Sequence, residues 1–177
     1  MLHSSCRVSK HRKRHQPFAQ YYHVSDNLCY FSDIEGLFTE IGISHHAEEW
    51  RLFIDSSLRS LKGVLLHNGN LYPSVPVAHS THLKENYENV KLMLEKICYS
   101  KFQWDVCGDL KMIAFLLGLQ GGFTKYSCFL CLWDSRASSQ HYAVQNWPER
   151  KELTVGEHNV CRDSLIVQRK FCCHLCI

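Results

Sequence analysis

Trp50-Arg51-Leu52-Phe53-Ile54-Asp55 and Gln103-Trp104-Asp105-Val106-Cys107-Gly108-Asp109 are two runs of strand-forming residues, each closed by an aspartate. A carboxylate at the exit of a strand is held at the rim of the core, where it can share a cation with a carboxylate on a neighbouring strand. Hard divalent cations prefer such oxygen ligands, and two of them clamp the attacking and leaving oxygens of a phosphodiester. Asp55 and Asp109 are therefore the candidate catalytic residues, with magnesium as the implied cofactor. The bland alternative stays open. Asp55 can open a turn with Ser56-Ser57, and Asp109 can cap the helix that follows. Asp105 is a weaker candidate, because it stands in mid-strand.

Around these runs, Leu52-Phe53-Ile54 is continuously apolar and suits a central strand covered on both faces. A second strand is expected over 61–67, closed by the turn-forming pair Asn68-Gly69. A third is expected over 71–78, at a sheet edge, because Pro73 and Pro76 cannot donate ladder hydrogen bonds. Leu83, Tyr87, Val90, Leu94 and Ile97 recur at helical spacing and predict a helix over 81–99, with Glu85 on its wet side. A fourth strand over 104–107 follows, which a crossover helix lays parallel to an earlier one. A very apolar helix over 112–119 is stopped by Gly121-Gly122. Upstream, Gly36 to Gly42 reads as a helical turn ended by glycine.

The fold class implied is α/β, with a mixed sheet of three antiparallel strands, a helix, a parallel fourth strand and a helix. By analogy with the RNase H-like fold, the fourth strand lies beside the first and brings Asp55 and Asp109 together. A second cluster is Cys128-Phe129-Leu130-Cys131 with His141 further on. Two thiolates three apart can chelate one tetrahedral zinc, and an imidazole can add a third ligand. Two buried thiols or a redox pair are the competing readings. Phosphate loops, dinucleotide fingerprints, nucleophile elbows and repeats are not found.

The chain has 177 residues, 45% hydrophobic and 21% charged, as an ordinary globular domain does. Its net charge of +3 is uneven: Arg7, Lys10, Arg12, Lys13 and Arg14 precede any acidic residue. Lys10, Arg12, Lys13 and Arg14 suit contact with nucleic-acid phosphates or nuclear import. No apolar stretch reaches bilayer length and the start lacks a signal-peptide core, so the expected location is nuclear or cytoplasmic, without a membrane. In a reducing compartment the ten cysteines read as thiols or metal ligands.

Longer stretches carry a resemblance. They are Trp50 to Ser57, Ser60-Leu61-Lys62, Val64 to Asn70, Val77-Ala78-His79-Ser80, Tyr87-Glu88-Asn89-Val90, Cys107 to Lys111, Gly122 to Tyr126, Cys128 to Arg136 and His141-Tyr142. Over about 29–159 the chain resembles a family of transposon-derived proteins of animal genomes, similar to cut-and-paste transposases with a DDE-type RNase H-like core and a CxxC/His element. The resemblance implies that Asp55 and Asp109 match the first two metal-binding carboxylates, that DNA is the ancestral substrate, and that strand cleavage and transfer is the ancestral reaction. Family members continue through a Pro-Pro-Leu-His-Ile-Lys-like segment, whereas this chain ends in Phe171-Cys172-Cys173-His174-Leu175-Cys176-Ile177. A shifted reading of the same bases permits Leu-Leu-Pro-Pro-Leu-His, so a frameshift is expected here. The expected organisation is a basic mobile tail (1–20), an extension (21–49), a partial RNase H-like core (50–122), a CxxC/His loop element (123–160) and a frameshifted tail (161–177). The last strand, the closing helix and the third carboxylate are expected to be missing, leaving an inactive remnant. A zinc-braced nucleic-acid-binding module without catalysis is the alternative.

Overall fold

Along Trp50–Ser56 and Leu61–His67 buried positions alternate with more exposed ones, as successive side chains of a strand point to opposite faces, and the two strands pair near the centre of a mixed sheet. The computed structural model describes residues 21–167 and 171–173. The basic run holding Lys10, Arg12, Lys13 and Arg14 lies outside them. The strands are β1 (Tyr22–Ser25), β2 (Leu28–Phe31), β3 (Trp50–Ser56), β4 (Leu61–His67), β5 (Val75–Ser80), β6 (Asp105–Gly108) and β7 (Phe171–Cys173). The helices are α1 (Ile34–Glu40), α2 (Tyr87–Lys96), α3 (Tyr99–Phe102) and α4 (Leu110–Leu116). Across the sheet the order is β1-β2-β5-β4-β3-β6-β7. Neighbours from β1 through β3 run antiparallel, whereas β6 runs parallel to β3 and β7 parallel to β6. No helix among the described residues is long and apolar enough to cross a membrane.

One face of the sheet carries the core. Trp50, Leu52 and Ile54 of β3 and Leu61 and Leu65 of β4 are buried, and Gly63 lies under the Met93 thioether of α2. Val90, Met93 and Leu94 of α2 and Met112, Ile113 and Leu116 of α4 fill the same layer. On the opposite face Arg51, Phe53, Val64 and Leu66 are only half-buried. β3 is therefore covered on one side, not on both as its apolar run suggests. Phe53 points to the open face, and three consecutive apolar residues cannot all share one face of a pleated strand.

Several boundaries differ from the sequence-based expectations, each for a local reason. α2 begins at Tyr87 rather than near 81, because the Asn86 side chain accepts from the Asn89 amide at 2.7 Å as an N-cap. The preceding residues form a turn around Ser80, whose hydroxyl accepts from the amides of His82 and Leu83. β5 is not an edge strand, since β2 pairs with it at Ala78 and His79. Pro73 falls outside it, and Pro76 is matched to Val64 of β4 on a stretch where β2 does not pair. A register shift at Gly63/Val64 makes Val77 the extra residue, which is how consecutive Val77 and Ala78 both become buried. Asn68-Gly69 does turn the chain, with Asn70 at φ 52°, but the connection runs on to Val75 rather than closing a tight hairpin.

The β1–β2 hairpin and β7 are among the elements not expected. β1 and β2 form a hairpin whose two-residue turn, Asp26-Asn27, has φ of 54° and 62°, the primed geometry that aspartate and asparagine tolerate. β7 occupies the place beside β6 where the sheet was expected to stop, matching Phe171 to Val106 and Cys173 to Gly108. Parallel pairing uses backbone groups, so an unpromising Phe-Cys-Cys sequence does not prevent it.

Candidate functional site

Parallel β3 and β6 match Arg51 to Asp105, Leu52 to Val106 and Phe53 to Cys107. Two residues further along each chain, the same register sets Asp55 level with Asp109. Gly108 leaves room for close packing there: a Cβ on it would lie 3.3 Å from the Ile54 carbonyl oxygen and 3.1 Å from Met112. Both aspartates are exposed, at the carboxyl ends of adjacent strands.

Each carboxylate has a second task. Asp109 Oδ1 accepts from the Met112 amide at 2.6 Å and so caps α4, the conventional use of an aspartate in this position. Asp55 lies 3.9 Å from Lys62 Nζ across the β3–β4 ladder, and both side chains are about half exposed, so the pair is weak. Neither task consumes both oxygens. The two aspartates keep hard oxygen donors facing solvent, a set that fits a magnesium-like cation retaining waters and binding substrate phosphate. Among the described residues, no three His, Cys, Asp or Glu side chains come together as a group able to hold a metal.

Sequence reasoning overlooked Glu85. Assigned to the wet side of a helix, it instead stands in the loop before α2, beside the aspartates. Its amide donates to the Ser57 carbonyl at 3.3 Å, its Oε2 accepts from Ser56 Oγ at 2.7 Å, and its Oε1 meets Lys111 Nζ at 2.9 Å. Burial pushes the Glu85 carboxyl up, but the hydrogen bonds from Ser56 and Lys111 and the charge of Lys111 outweigh it and leave it below its ordinary value. The hydrogen bond to Glu85 in turn raises Lys111. The available signal was Asn86, whose capping role moves the helix start past Glu85.

The CxxC element is a separate assembly. Residues 130–132 pair with 148–150 through Leu132 N to Pro148 O (2.8 Å) and Arg150 N to Leu130 O (2.9 Å). Arg150, 5% exposed, donates to the carbonyls of Tyr126, Cys128 and His158 at 3.1–3.2 Å and stitches the loop together. Cys128 and Cys131 lie side by side, with the Leu130 amide 3.4 Å from Cys128 Sγ. Burial pushes the Cys131 thiol up, and its hydrogen bond with Cys128 adds to this. Burial also lowers the Arg150 guanidinium, against the opposing pull of the two sulfurs. His141 is turned to other work: its Nε2 donates to the Asp134 carbonyl at 2.8 Å and its ring stacks on Trp133 at 4.8 Å. An apolar cleft of about 560 Å³ lies elsewhere, lined by Phe31, Leu37, Ile41, Tyr72 and Pro76 among others, and neither aspartate borders it.

The fold is of the mixed α/β class, with an aspartate at the carboxyl end of each of two adjacent parallel strands. The family model described as "Domain of unknown function (DUF8703)" matches residues 10–166, and the chain belongs to that family. No curated protein matches it.

Proposed function

We propose that this chain is an RNase H-like core of DNA-transposase type, derived from a transposable element, in which Asp55 and Asp109 mark the magnesium position of the ancestral strand-cleavage and transfer reaction. The observation that carries the reading is the β3–β6 register, which sets the two aspartates side by side. The five-strand order β5-β4-β3-β6-β7, antiparallel on one side of β3 and parallel on the other, supports the same comparison. When bound, a divalent cation would polarise a phosphate oxygen and neutralise its charge. The protein's part is to hold the two carboxylates at fixed spacing and leave the site open to a DNA backbone. Among the described residues the site is a pair of carboxylates, and on this reading it binds a cation and a phosphate without transferring a strand. The protein is then a nuclear or cytoplasmic DNA-binding remnant. Supercoiled plasmid incubated with the purified chain and Mg²⁺ should be nicked no faster than with Asp55→Asn, while the unmodified chain alone binds Mn²⁺. Nicking that Asp55→Asn abolishes would make it an active nuclease.

A second reading, a zinc-braced nucleic-acid-binding module, is favoured by the adjacent thiols and the amide directed at Cys128 Sγ. Zinc would act there as a structural cross-link held by Cys128 and Cys131; with His141 Nε2 on the Asp134 carbonyl, Nδ1 is the ring nitrogen through which His141 would add a third ligand. The loop itself is not basic. Lys125, Arg136, Arg150 and Lys151 are balanced by Asp134, Glu149, Glu152 and Glu157. DNA contact on this reading falls to Lys10, Arg12, Lys13 and Arg14. Stoichiometric zinc by native mass spectrometry, with salt-dependent DNA binding lost on deleting residues 1–15, would favour it over the first.

A further inference from the structure

The end of β3 and the first turn of α4 belong to different elements, related by β3–β6 pairing and by the apolar layer that both help to fill. A polar connection runs through Glu85. Its Oε2 is occupied by Ser56 Oγ, the residue after Asp55, and its Oε1 by Lys111 Nζ, two residues after Asp109. Its amide is also tied to the Ser57 carbonyl. The Glu85 side chain is only 19% exposed, against 73% for Lys111, so the carboxylate is the fixed member and the lysine reaches in to it. Since both carboxylate oxygens are engaged, Glu85 is not presented as a ligand.

We infer that Glu85 is the positioning residue of the aspartate pair: by bridging Ser56 and Lys111 it clamps the carboxyl end of β3 to the first turn of α4 and sets the separation of Asp55 and Asp109. This inference rests on the cation-binding reading of those aspartates. Partners that orient ligands without touching the metal carry much of its affinity, and losing one typically costs about 10-fold or more. Ser56 is the useful handle, because removing its hydroxyl breaks the clamp without changing any charge near the cation.

The test measures Mn²⁺ affinity of the full chain by calorimetry, alongside amide hydrogen exchange in its absence. Ser56→Ala and Glu85→Ala are expected to speed exchange at both 54–57 and 110–113 and to weaken Mn²⁺ binding about 10-fold. Ser56→Thr, which keeps the hydroxyl, should restore both. Faster exchange at only one of the two segments, or none, overturns the clamp whatever the metal does. Unchanged Mn²⁺ affinity in Ser56→Ala, with binding still abolished by Asp55→Asn, overturns the positioning role while leaving the carboxylate site standing. Mn²⁺ binding that Asp55→Asn does not affect, or no binding by the unmodified chain, overturns the site and the inference together.

Discussion

Asp109 serves as both helix cap and proposed ligand, and substitution separates the two roles. Asparagine is as good an N-cap as aspartate, so Asp109→Asn keeps the acceptor for the Met112 amide while removing the charge. Asp109→Ala removes both. Urea unfolding should show Asp109→Asn close to the unmodified chain and Asp109→Ala less stable by about 1 kcal/mol. Both variants should lose Mn²⁺. Retention of Mn²⁺ by Asp109→Asn would reduce this residue to its capping role. His45 shows a different dependence on surroundings. It accepts from Trp104 Nε1 at 3.1 Å within a cluster of Phe38, Phe102 and Trp104, and burial lowers its pKa despite the opposing charge of Glu35. A folded-state pKa below the unfolded value means that the unfolded chain takes up the proton first as pH falls. The stability contributed by neutral His45 is therefore present above about pH 6.5 and is lost as pH falls through the folded pKa. Replacing His45 with glutamine, a neutral acceptor at every pH, should flatten the thermal midpoint between pH 7 and 5; an unchanged slope would remove His45 as its source.

Helix ends decide most of what differs between expectation and structure at the scale of elements. α4 was expected to stop at Gly121-Gly122, yet it stops three residues sooner because Gly118 takes φ +77°. Position 118 is doubly constrained. Its carbonyl accepts from the amides of Cys161 and Arg162, and a Cβ on it would collide with the Arg162 carbonyl. Gly118→Ala therefore combines a left-handed backbone with a steric clash and should cost on the order of 2 kcal/mol or more. Gly121→Ala, with nothing within 4 Å of its Cβ position, should cost much less. Equal midpoints in urea would show that the 159–162 segment gives way freely. The same logic explains α2, where Asn86 outcompetes the apolar stripe that begins at Leu83. Periodicity reports which face is buried, but a capping side chain reports where the first turn starts.

For the molecule as a whole, Arg150 holds the CxxC element as one unit, by hydrogen bonds to three carbonyls distant in sequence. Arg150→Met leaves those carbonyls without their donor at a cost on the order of 3 kcal/mol. The loss should be local: limited proteolysis should cut within 123–160 while 50–116 stays protected, and uniform digestion would show that the two parts unfold together. The central strands β3 and β4 and the apolar identity of α2 and α4 were legible in the residues themselves, because a short apolar run, a turn pair and helical spacing are all local signals. The β1–β2 hairpin was equally local, marked by Asp26-Asn27 between short β-prone runs, and was passed over. Asp55 and Asp109 were legible as candidates, but their adjacency rested on analogy. The antiparallel run β3-β4-β5 was legible and the place of β6 beside β3 came by analogy, whereas the interior place of β5, the bridge at Glu85 and the Asp134 carbonyl as partner of His141 were not legible at all. The sequence by itself determined which segments bury an apolar face and which residues bear charge at their ends, since these depend on neighbours within a few positions. Only the tertiary structure decided which strand lies beside which, and so which carboxylates meet, because pairing between distant segments is set by how their buried faces pack and not by any residue in either one.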